Sequence, residues 1–458
     1  MAESLASSTP APFPYTVQHL RRDAASLLLY QAVLQSEPGR AFLTLLQHLH
    51  ERSTDELACL TAYGQWFSAL AAAQQTWQAH LLTQILKADN PFTQQAQAAP
   101  LTELPASLIA AAGADLTRLQ RLYSCTGAQI SQWVQAIAPR SEAPIPWGDS
   151  LEDGSLDPAD SGLAIDPSSG QLPSLPIWNR LQRDRHWAKA IPDLAAFHRQ
   201  GGVGKFAEYR ALRWQAGQLV GIPHPDPIRL DQLAGYEHQR QTLVQNTEAL
   251  LRGYPALHVL LYGSRGSGKS SLVKALLNQY GDRGLRLIEV GKADLHHLAE
   301  IVEPLRHQPL AFILFVDDLS FEEDDDAFKS LKVVLEGSVT ARPRNMVVYA
   351  TSNRRHLIRE FHGDRPRPQD ADEIHTWDTV QEKLSFGDRF GLTLTFEPAD
   401  QPTYLDIVRH LATQTSISLT DEQLTQRALQ WATRHNGRSG RTARQFIDYL
   451  QAEQGLTA

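Results

Sequence analysis

The stretch "YGSRGSGKSS" carries the most specific chemical pattern in this chain. It matches G-x-x-x-x-G-K-[ST], a phosphate-binding loop when the pattern follows a strand and opens a helix. Its glycines let backbone N–H groups turn toward phosphates, its lysine neutralises β- and γ-phosphate oxygens, and its hydroxyl ligates magnesium. The apolar run "HVLLY" precedes it and the helical run "SSLVKALLNQY" follows it. The residues expected to bind phosphate are Gly263, Ser264, Arg265, Gly266, Ser267, Gly268, Lys269, Ser270 and Ser271, with Ser270 also a metal ligand.

Seven acidic side chains lie within the ten positions from Asp317 to Asp326. Asp317 and Asp318 directly follow the apolar run "FILFV", so we expect them at a strand end. There one carboxylate can hold magnesium and a second can orient an attacking water. The later acids, Glu322 to Asp326, precede a helical pattern, and we expect them to complement the dipole at the start of that helix.

Three further polar residues follow in a definite order. Asn353 ends the run "MVVYATSN", Arg389 precedes "LTLTF", and Arg441 lies in "NGRSGRTARQF", early in a helix. Each residue alone is typical of a solvated surface. Because a phosphate loop with a strand-end acid pair also fits small-molecule kinases, these further polar residues must decide between the classes.

The elements that must position these residues alternate between strands and helices. Strand-like runs lie at 258–262, 285–290, 312–316, 346–351 and 392–396, separated by helical patterns. This alternation predicts an α/β fold with a parallel, doubly wound sheet and ligands at the carboxyl ends of its strands. A second glycine-rich segment, "GGVGK" at 201–205, has Phe206 where a hydroxyl is needed, and we interpret it as a turn.

The chain outside the sheet is predicted to be mainly helical. The expected organisation is a helical N-terminal domain at 1–138, a Pro- and Ser-rich disordered linker at 139–176, a helical connector at 177–229, the nucleotide-binding domain at 230–397 and a helical lid at 398–458. Trp66 and Trp77 of the N-terminal domain are expected in its core. Between Arg180 and Arg213 the connector has eight basic and three acidic residues. A solvated basic helix face explains this bias, and a phosphate or partner contact is the alternative.

Composition excludes several classes of protein. The 458 residues carry a net charge of -8, so the chain lacks the overall basic character of non-specific nucleic-acid binders. Cys59 and Cys125 lie far apart without a metal-binding spacing and are expected to be buried free thiols. No signal-peptide pattern and no long apolar run is present, so we expect a cytosolic, cytoplasmic protein with no membrane span.

The motifs together resemble the AAA+ ATPases and, more specifically, the bacterial ATP-binding family called domain of unknown function 815. The second resemblance rests on six segments, "LLYGSRGSGKSSLVKALL", "GLRLIEV", "FVDDLSFE", "YATSNRRHLI", "EKLSFGDRFGL" and "GRSGRTARQFI", and covers roughly residues 205–455. It implies a P-loop αβα domain with a C-terminal helical lid, binding ATP with Mg2+.

The resemblance also implies a role for individual residues. Gly235 and Tyr236 would lie by the adenine, Asp317 would hold magnesium and Asp318 would stand at the position of the water-activating acid. Asn353 would be sensor 1. Arg389 would be a finger that reaches the nucleotide of a neighbouring subunit, which implies a homo-oligomer. Arg441 would be sensor 2, with Arg444 as the alternative.

Two departures from typical AAA+ proteins affect the expected activity. Most hydrolytic members have Asp-Glu where this chain has Asp317-Asp318, and the shorter side chain predicts slow hydrolysis. Replication-initiator and helicase-loader ATPases share the Asp-Asp pair. No aromatic residue lies between Val290 and Leu298, which argues against a protein-threading unfoldase.

Three functions follow in order of preference. The first is an ATP-driven switch or remodeller, an oligomer whose N-terminal domain binds a protein partner. The second is an ATP-dependent loader or helper of nucleic acid. A small-molecule kinase is the third.

Overall fold

The computed structural model describes residues 16–51, 55–148, 176–320, 327–336, 343–353, 389–415, 417–435 and 437–457. The chain divides into two compact units. Among the described residues, the first unit holds those up to 199 together with 203–207, and the second holds 200–202 and 208–457. The predicted acidic helix start at Glu322 to Asp326 and most of the predicted linker, residues 149–175, lie outside the described residues.

The N-terminal unit is helical, as predicted. Its helices are fixed locally by polar caps: Thr76, Asn90 and Thr126, for example, each accept a hydrogen bond from a backbone N–H of the first helical turn. The helices between Val17 and Glu208 are α1 Val17–Ala25, α2 Glu37–Glu51, α3 Glu56–Ala73, α4 Trp77–Leu86, α5 Pro91–Ala98, α6 Ala106–Tyr123, α7 Gly127–Ile137, α8 Pro176–Arg183, α9 Ile191–Gly201 and α10 Lys205–Glu208.

The core of this unit is aromatic. Phe42 and Trp77 stack with ring centroids 4.1 Å apart, and Trp66 meets Trp77 edge-on at 6.4 Å. The indole N–H of Trp77 donates to the carbonyl of Leu122 at 2.9 Å, so its polar atom is satisfied inside the core. The prediction that Trp66 and Trp77 are core residues is confirmed, and Cys59 and Cys125 are buried free thiols as expected.

A buried carboxylate joins α6 to the turn that follows α1. Asp115 has no exposed surface, and its two oxygens accept hydrogen bonds from the backbone N–H groups of Leu28, Leu29 and Tyr30 at 2.7 to 3.1 Å. The guanidinium of Arg118 also donates to it at 3.0 Å. The charge is therefore balanced by one cation and by backbone donors that have this carboxylate as their partner.

Residues just after α7 depart from the expected linker. The Trp147 ring meets Phe67 edge-on at 4.9 Å, and its indole N–H donates to the carbonyl of Gln75 at 2.9 Å. The hydroxyl of Tyr63 donates to the carbonyl of Ile145 at 2.6 Å. The Pro-rich composition led us to predict a linker from 139, but Ile145 and Trp147 anchor this segment to the N-terminal unit.

The second unit is built on one sheet, whose described strands lie in the order β2-β1-β4-β5-β6-β3-β7. The pairs are parallel except β1 with β2. The five predicted strands are all present within two residues of their expected ends. The strands are β1 Ala211–Gln215, β2 Gln218–Gly221, β3 Val259–Gly263, β4 Leu285–Glu289, β5 Ala311–Val316, β6 Met346–Ser352 and β7 Leu392–Phe396.

The strands β1 and β2 depart from the prediction that 177–229 is a helical connector, which otherwise contains α8, α9 and α10. They form an antiparallel hairpin at the sheet edge, and β1 continues the sheet by pairing with β4. Ala216 and Gly217 both have positive φ, at 49° and 77°, which is the geometry of a two-residue hairpin turn. The alternation of buried and exposed residues in "ALRWQ" was therefore a strand signal that the basic content concealed.

Both faces of the sheet are covered, which explains its continuous apolar strands. Alternate strand residues such as Leu261, Ile313 and Val347 pack in one core with α11 and α12. Residues of the opposite parity, such as Leu314 and Val348, are buried as well. The helices of this αβα layer are α11 Glu237–Leu251, α12 Lys269–Tyr280, α13 Leu298–Leu305 and α14 Ala327–Glu336.

Three helices form the lid with a separate core: α15 Gln401–Thr413, α16 Asp421–Arg434 and α17 Gly440–Thr457. Tyr404, Ala428 and Phe446, one from each helix, are buried in that core. A capping box opens α16, since the Thr420 hydroxyl accepts from the N–H of Gln423 and the Gln423 side chain accepts from the N–H of Thr420. Within the described ranges, no helix combines the length and hydrophobicity that a membrane crossing requires.

Replacing Asp115 by alanine should lower the free energy of unfolding of the N-terminal unit by about 3–5 kcal/mol, because the backbone donors and Arg118 lose their buried partner. Denaturant unfolding followed by tryptophan fluorescence measures this, since six of the nine tryptophans lie in this unit. Asp55→Ala is the matched control: Asp55 is exposed and caps α3, so its loss should cost about 1 kcal/mol. Equal costs for the two variants would contradict the assigned role of Asp115.

Candidate functional site

The phosphate-loop sequence lies where its motif requires, between β3 and α12. Gly263 has φ of 136°, and a Cβ there would lie 2.0 Å from the carbonyl oxygen of Phe396 at the end of β7. Only glycine fits this close approach. The N–H of Ser264 donates to that same carbonyl at 2.8 Å, so the end of β7 fixes the start of the loop. Gly268, with φ of 89°, then turns the chain into α12.

The lysine of the motif is buried beneath the loop. Lys269 is 6% exposed, and its Nζ donates to the carbonyls of Gly263 and Ser264 at 3.1 and 2.7 Å. It also donates to Oδ1 of Asn353 at 3.3 Å. Burial lowers the pKa of Lys269, and the charges of Asp317 and Asp318 oppose that shift. A cation with this little water around it is suited to neutralise phosphate oxygens.

A hydroxyl and a carboxylate meet at the expected metal position. The Ser270 hydroxyl donates to Oδ1 of Asp317 at 2.6 Å, across the gap between α12 and the end of β5. The Thr351 hydroxyl donates to the same oxygen at 2.5 Å. Hydroxyl and carboxylate oxygens on a phosphate loop are the donor set that magnesium takes in P-loop proteins. The residues present therefore fit Mg2+.

Asp318 has a strained backbone that turns its side chain toward β6. Its φ is 51°, a left-handed conformation that costs a non-glycine residue energy. Its N–H donates to the Thr351 hydroxyl at 2.9 Å, and its Oδ1 accepts from the side-chain amide of Asn353 at 2.7 Å. Asn353 therefore lies between Lys269 and Asp318 and bonds to both.

Sequence reasoning missed Thr351, which connects the two acids. It is 2% exposed, donates to Asp317 and accepts from the N–H of Asp318. The available signal was its position on β6 two residues before Asn353, which directly follows the strand, because residues two apart in extended chain share a face. Thr351 is a positioning residue that fixes both carboxylates relative to β6.

These groups surround a cavity of about 570 Å³ between the loop and the lid. Predicted site residues in its wall are Arg265, Gly266, Ser267, Gly268, Lys269, Ser270, Ser271, Asp317, Asp318, Asn353 and Arg441, with Arg444 beside them. Apolar wall residues that sequence reasoning did not identify are Ile228, Leu233, Ala234, Ile407 and Leu411. An apolar wall opposite a polar phosphate loop suits a ligand with a flat apolar ring at one end and charge at the other.

Gly235 and Tyr236, expected beside the adenine, lie next to this wall rather than in it. The wall is formed by the three residues before them, 232–234. The Tyr236 ring packs on Phe396 with centroids 5.0 Å apart, and its hydroxyl donates to the carbonyl of Glu397 at 2.5 Å. These contacts make Tyr236 a support for the β7 end that holds the phosphate loop.

The lid contacts the phosphate loop through the backbone. The N–H of Arg441, at the start of α17, donates to the carbonyl of Gly266 at 3.1 Å. A Cβ on Gly266 would lie 3.0 Å from the Ser439 hydroxyl and 3.1 Å from the Arg441 Cβ, so the two segments are in close contact. The structure thus brings Arg441 to the cavity, as expected for a lid residue that senses the ligand.

Arg389 is a further predicted residue that does not line the cavity. It precedes β7, and β7 runs parallel to β3, whose carboxyl end carries the phosphate loop. The length of β7 is about 15 Å, so Arg389 lies at the opposite edge of the sheet. Within one chain it is therefore remote from the phosphate loop.

The basic segment 180–213 has much of its charge neutralised. Arg180 pairs with Asp193 and Arg210 with Asp282, and Arg213 pairs with Glu289 at 2.7 Å. These ion pairs favour the structural explanation of the basic bias over a phosphate contact.

The fold and the site together have the architecture of an AAA+ P-loop domain. A phosphate loop follows β3, and the acid pair follows β5. The strand β6 lies between β3 and β5, and the polar pair Thr351 and Asn353 lies at its end. A helical lid covers the loop. The family model described as "Protein of unknown function (DUF815)" matches residues 207–454. This match spans more than half of the chain, and the chain belongs to that family.

The comparison with solved structures gives matches of low sequence identity, of which two are described here. The chain is similar to the Thermotoga maritima RuvB Holliday junction branch migration motor at 16% identity and a TM-score of 0.30, over 49% of this chain and 72% of that chain. It is similar to the replication initiator DnaA bound to AMPPCP and single-stranded DNA at 19% identity and a TM-score of 0.33, over 50% of this chain and 66% of that chain. No curated protein matches the chain.

Thr351→Val removes a hydroxyl of nearly the same shape, so Asp317 loses a hydrogen-bond donor while β6 keeps its packing. We expect the affinity for Mg2+·ATP to fall roughly tenfold or more, as loss of such outer contacts at metal sites commonly causes. Titration of a fluorescent ATP analogue with and without Mg2+ measures it, and the Mg2+-free affinity should change less. Thr351→Ser keeps the hydroxyl and is the control; loss of affinity in both variants would disprove the role of the hydroxyl.

Proposed function

We propose that this protein binds ATP with Mg2+ and hydrolyses it slowly. The observation that carries the proposal is the convergence of Lys269, Ser270, Asp317 and Asn353 on one cavity beneath the lid. In this proposal the loop N–H groups and Lys269 bind the phosphates, while Ser270 and Asp317 hold the metal. When bound, Mg2+ supplies positive charge to the β- and γ-phosphate oxygens. Asn353 and Arg441 have a role in hydrolysis and none in a small-molecule kinase.

Asp318 is the proposed acid that orients the attacking water. The hydrogen bond from Asn353 fixes the Asp318 carboxylate at 2.7 Å, which supports a positioned rather than a mobile side chain. Aspartate is one methylene shorter than the glutamate of faster AAA+ enzymes, so its carboxylate reaches less far toward the γ-phosphate. This geometry favours tight ATP binding with slow turnover, as a molecular switch requires.

Lys269→Ala and Asp318→Asn should separate binding from turnover. We expect Lys269→Ala to lose roughly a hundredfold in ATP affinity, because a buried charge-assisted contact is removed. Asp318→Asn should bind ATP normally, since asparagine tolerates a left-handed φ, and its turnover should fall at least about a hundredfold. Calorimetric titration and phosphate release measure the two effects.

The control for Asp318 is Asp294→Asn, another aspartate at the carboxyl edge of the sheet that lies outside the cavity wall. Its turnover should equal that of the wild type. Turnover of Asp318→Asn at the same level would place the base elsewhere, and unchanged ATP affinity in Lys269→Ala would refute the nucleotide site itself.

The remote position of Arg389 supports a second part of the proposal, an ATP-dependent homo-oligomer. Because Arg389 lies at the opposite sheet edge from the phosphate loop, it can reach a nucleotide only in a neighbouring subunit. We propose that it acts there as an arginine finger, stabilising charge that develops during hydrolysis.

Arg389→Ala should bind ATP normally and lose roughly a thousandfold in turnover, the scale of other arginine fingers. Mixing it with inactive Lys269→Ala should restore part of the activity, because one variant supplies the finger and the other binds ATP. Arg344→Ala, an exposed arginine that precedes β6 at the same sheet edge, is the control and should hydrolyse ATP normally. Failure of the mixture to recover turnover would contradict a finger acting between subunits.

The N-terminal helical unit is proposed to bind a protein partner whose state the ATP cycle controls. Its separate aromatic core and Asp115 junction support a domain that folds around its own interior. Affinity capture with Asp318→Asn in ATP, compared with Lys269→Ala, tests this: enrichment of a protein in the first variant alone identifies the partner, and equal capture by both argues against nucleotide control.

A further inference from the structure

A second cleft lies on the lid side of the phosphate loop. Its volume is about 640 Å³, and it is bordered by the loop, the start of the lid and the junction between α16 and α17. It shares Arg265, Gly266 and Arg441 with the nucleotide cavity, but its remaining wall belongs to the outer part of the lid. The residues that give it chemical character are Arg265, His435, Arg438 and Arg441.

The charged residues that line this cleft are basic, and Asp400, which follows the lining residue Ala399, interacts electrostatically with Arg438. Three arginines and a histidine line it, and the described lining residues include no aspartate or glutamate. The side chains of Arg265 and Arg441 form no ion pair with any part of the chain that the structure describes. Arg438 donates to the neutral side chain of Gln401 at 3.2 Å. In a protein of net charge -8, a cleft with this composition concentrates positive potential at one place and attracts anions.

Aromatic rings lead away from the cleft across the lid surface. The exposed His435 ring stacks on Trp431 with centroids 4.0 Å apart and planes inclined by 20°. Tyr449 of α17 lies 4.9 Å from Trp431 and is 48% exposed. We call His435, Trp431 and Tyr449 the aromatic strip. Its two outer rings are exposed while Trp431 packs partly against the lid core, so the strip presents ring surface to solvent on a rigid support.

Cations beside exposed aromatic rings are the combination that binds unpaired nucleotides. Arginine attracts the backbone phosphates, and flat rings stack on bases whose faces are not covered by a neighbouring base pair. A simple anion or an acidic protein segment would use the arginines and leave the strip without a role. A duplex would offer phosphates but no free base faces.

We propose that the cleft and the aromatic strip bind single-stranded nucleic acid, with Arg265 and Arg438 on the phosphates and His435 and Tyr449 against the bases. The site shares Arg265, Gly266 and Arg441 with the wall of the proposed ATP cavity and extends from there over the lid, and its binding does not require ATP turnover. Because the start of α17 contacts both the cleft and the phosphate loop, a strand bound here would lie against the same backbone that closes over the nucleotide.

The test is fluorescence anisotropy with labelled oligo-dT and oligo-rU of about 20 nucleotides, which exceeds the usual contact length of such sites. Arg438→Glu should weaken binding at least about tenfold and reduce the salt dependence, because a phosphate contact is lost. Tyr449→Ala should weaken it roughly fivefold or more through lost stacking, and Tyr449→Phe should restore it.

Arg434→Glu is the matched control. Arg434 is exposed at the end of α16, only four residues from Arg438, yet it is not part of the cleft wall. This variant makes the same change in net charge and should bind within about twofold of the wild type. Circular dichroism and ATP binding, measured on the same preparations, verify the fold and report on the nucleotide site separately.

Several results would overturn the proposal. Equal losses in Arg434→Glu and Arg438→Glu would indicate diffuse charge attraction, and no binding by the wild type at low salt would exclude the site. If Tyr449→Ala binds the oligonucleotides as tightly as the wild type, and inorganic polyphosphate displaces them, the cleft would be a site for simple anions only. Duplex binding as tight as single-strand binding would exclude base stacking.

Discussion

A single carboxylate oxygen connects the three segments on which the site depends. Oδ1 of Asp317 accepts hydrogen bonds from Ser270 at the start of α12 and from Thr351 at the end of β6, while its own backbone ends β5. Donors from both neighbours reduce the energetic cost of holding a negative charge next to a buried sheet. The strand order is compatible with this requirement. Because β6 lies between β5 and β3, its polar end is the group that can bridge the acids and the phosphate loop.

The same arrangement explains why the lysine can remain charged under the loop. Burial lowers the pKa of Lys269, yet three oxygens accept its protons and two aspartates stand nearby. The side-chain carbonyl oxygen of Asn353 accepts a hydrogen bond from Lys269, and its side-chain amide donates one to Asp318. One side chain therefore connects the cation to the acid. The polar groups form a connected network in which a displacement at one member is transmitted to the next.

Much of this could be predicted from the sequence because the signals are local. A buried parallel strand is a continuous apolar run, and the residue after it must lie at the edge of the sheet where ligands bind. The run that forms β5 therefore predicted the position of Asp317, and the glycine pattern predicted that of Lys269. Thr351 could not be found this way. Threonine is common in strands because its branched side chain packs well there, so a threonine at a strand end does not by itself indicate a role in a site. The β1–β2 hairpin was missed because its arginines form ion pairs only in the folded chain, where Arg213 meets Glu289.

The apolar cavity wall lay beyond sequence reasoning for a different reason. Ile228, Ile407 and Leu411 come from separate segments, and only the packing of the lid on the αβα layer brings them together. Gly235 and Tyr236 show the reverse case, in which a family pattern points to the correct segment but the backbone turn directs the ring to Phe396 instead. Spacing along a chain specifies which element carries a residue, whereas side-chain direction depends on neighbours far away in sequence.

The contact between the lid and the phosphate loop joins main-chain atoms, the N–H of Arg441 and the carbonyl of Gly266. Every residue except proline supplies that N–H, so the contact survives replacement of the arginine side chain. The contact between lid and loop is therefore independent of the guanidinium of Arg441. Replacing the Arg441 side chain would therefore change the charge of the cavity wall and leave the lid attached to the loop.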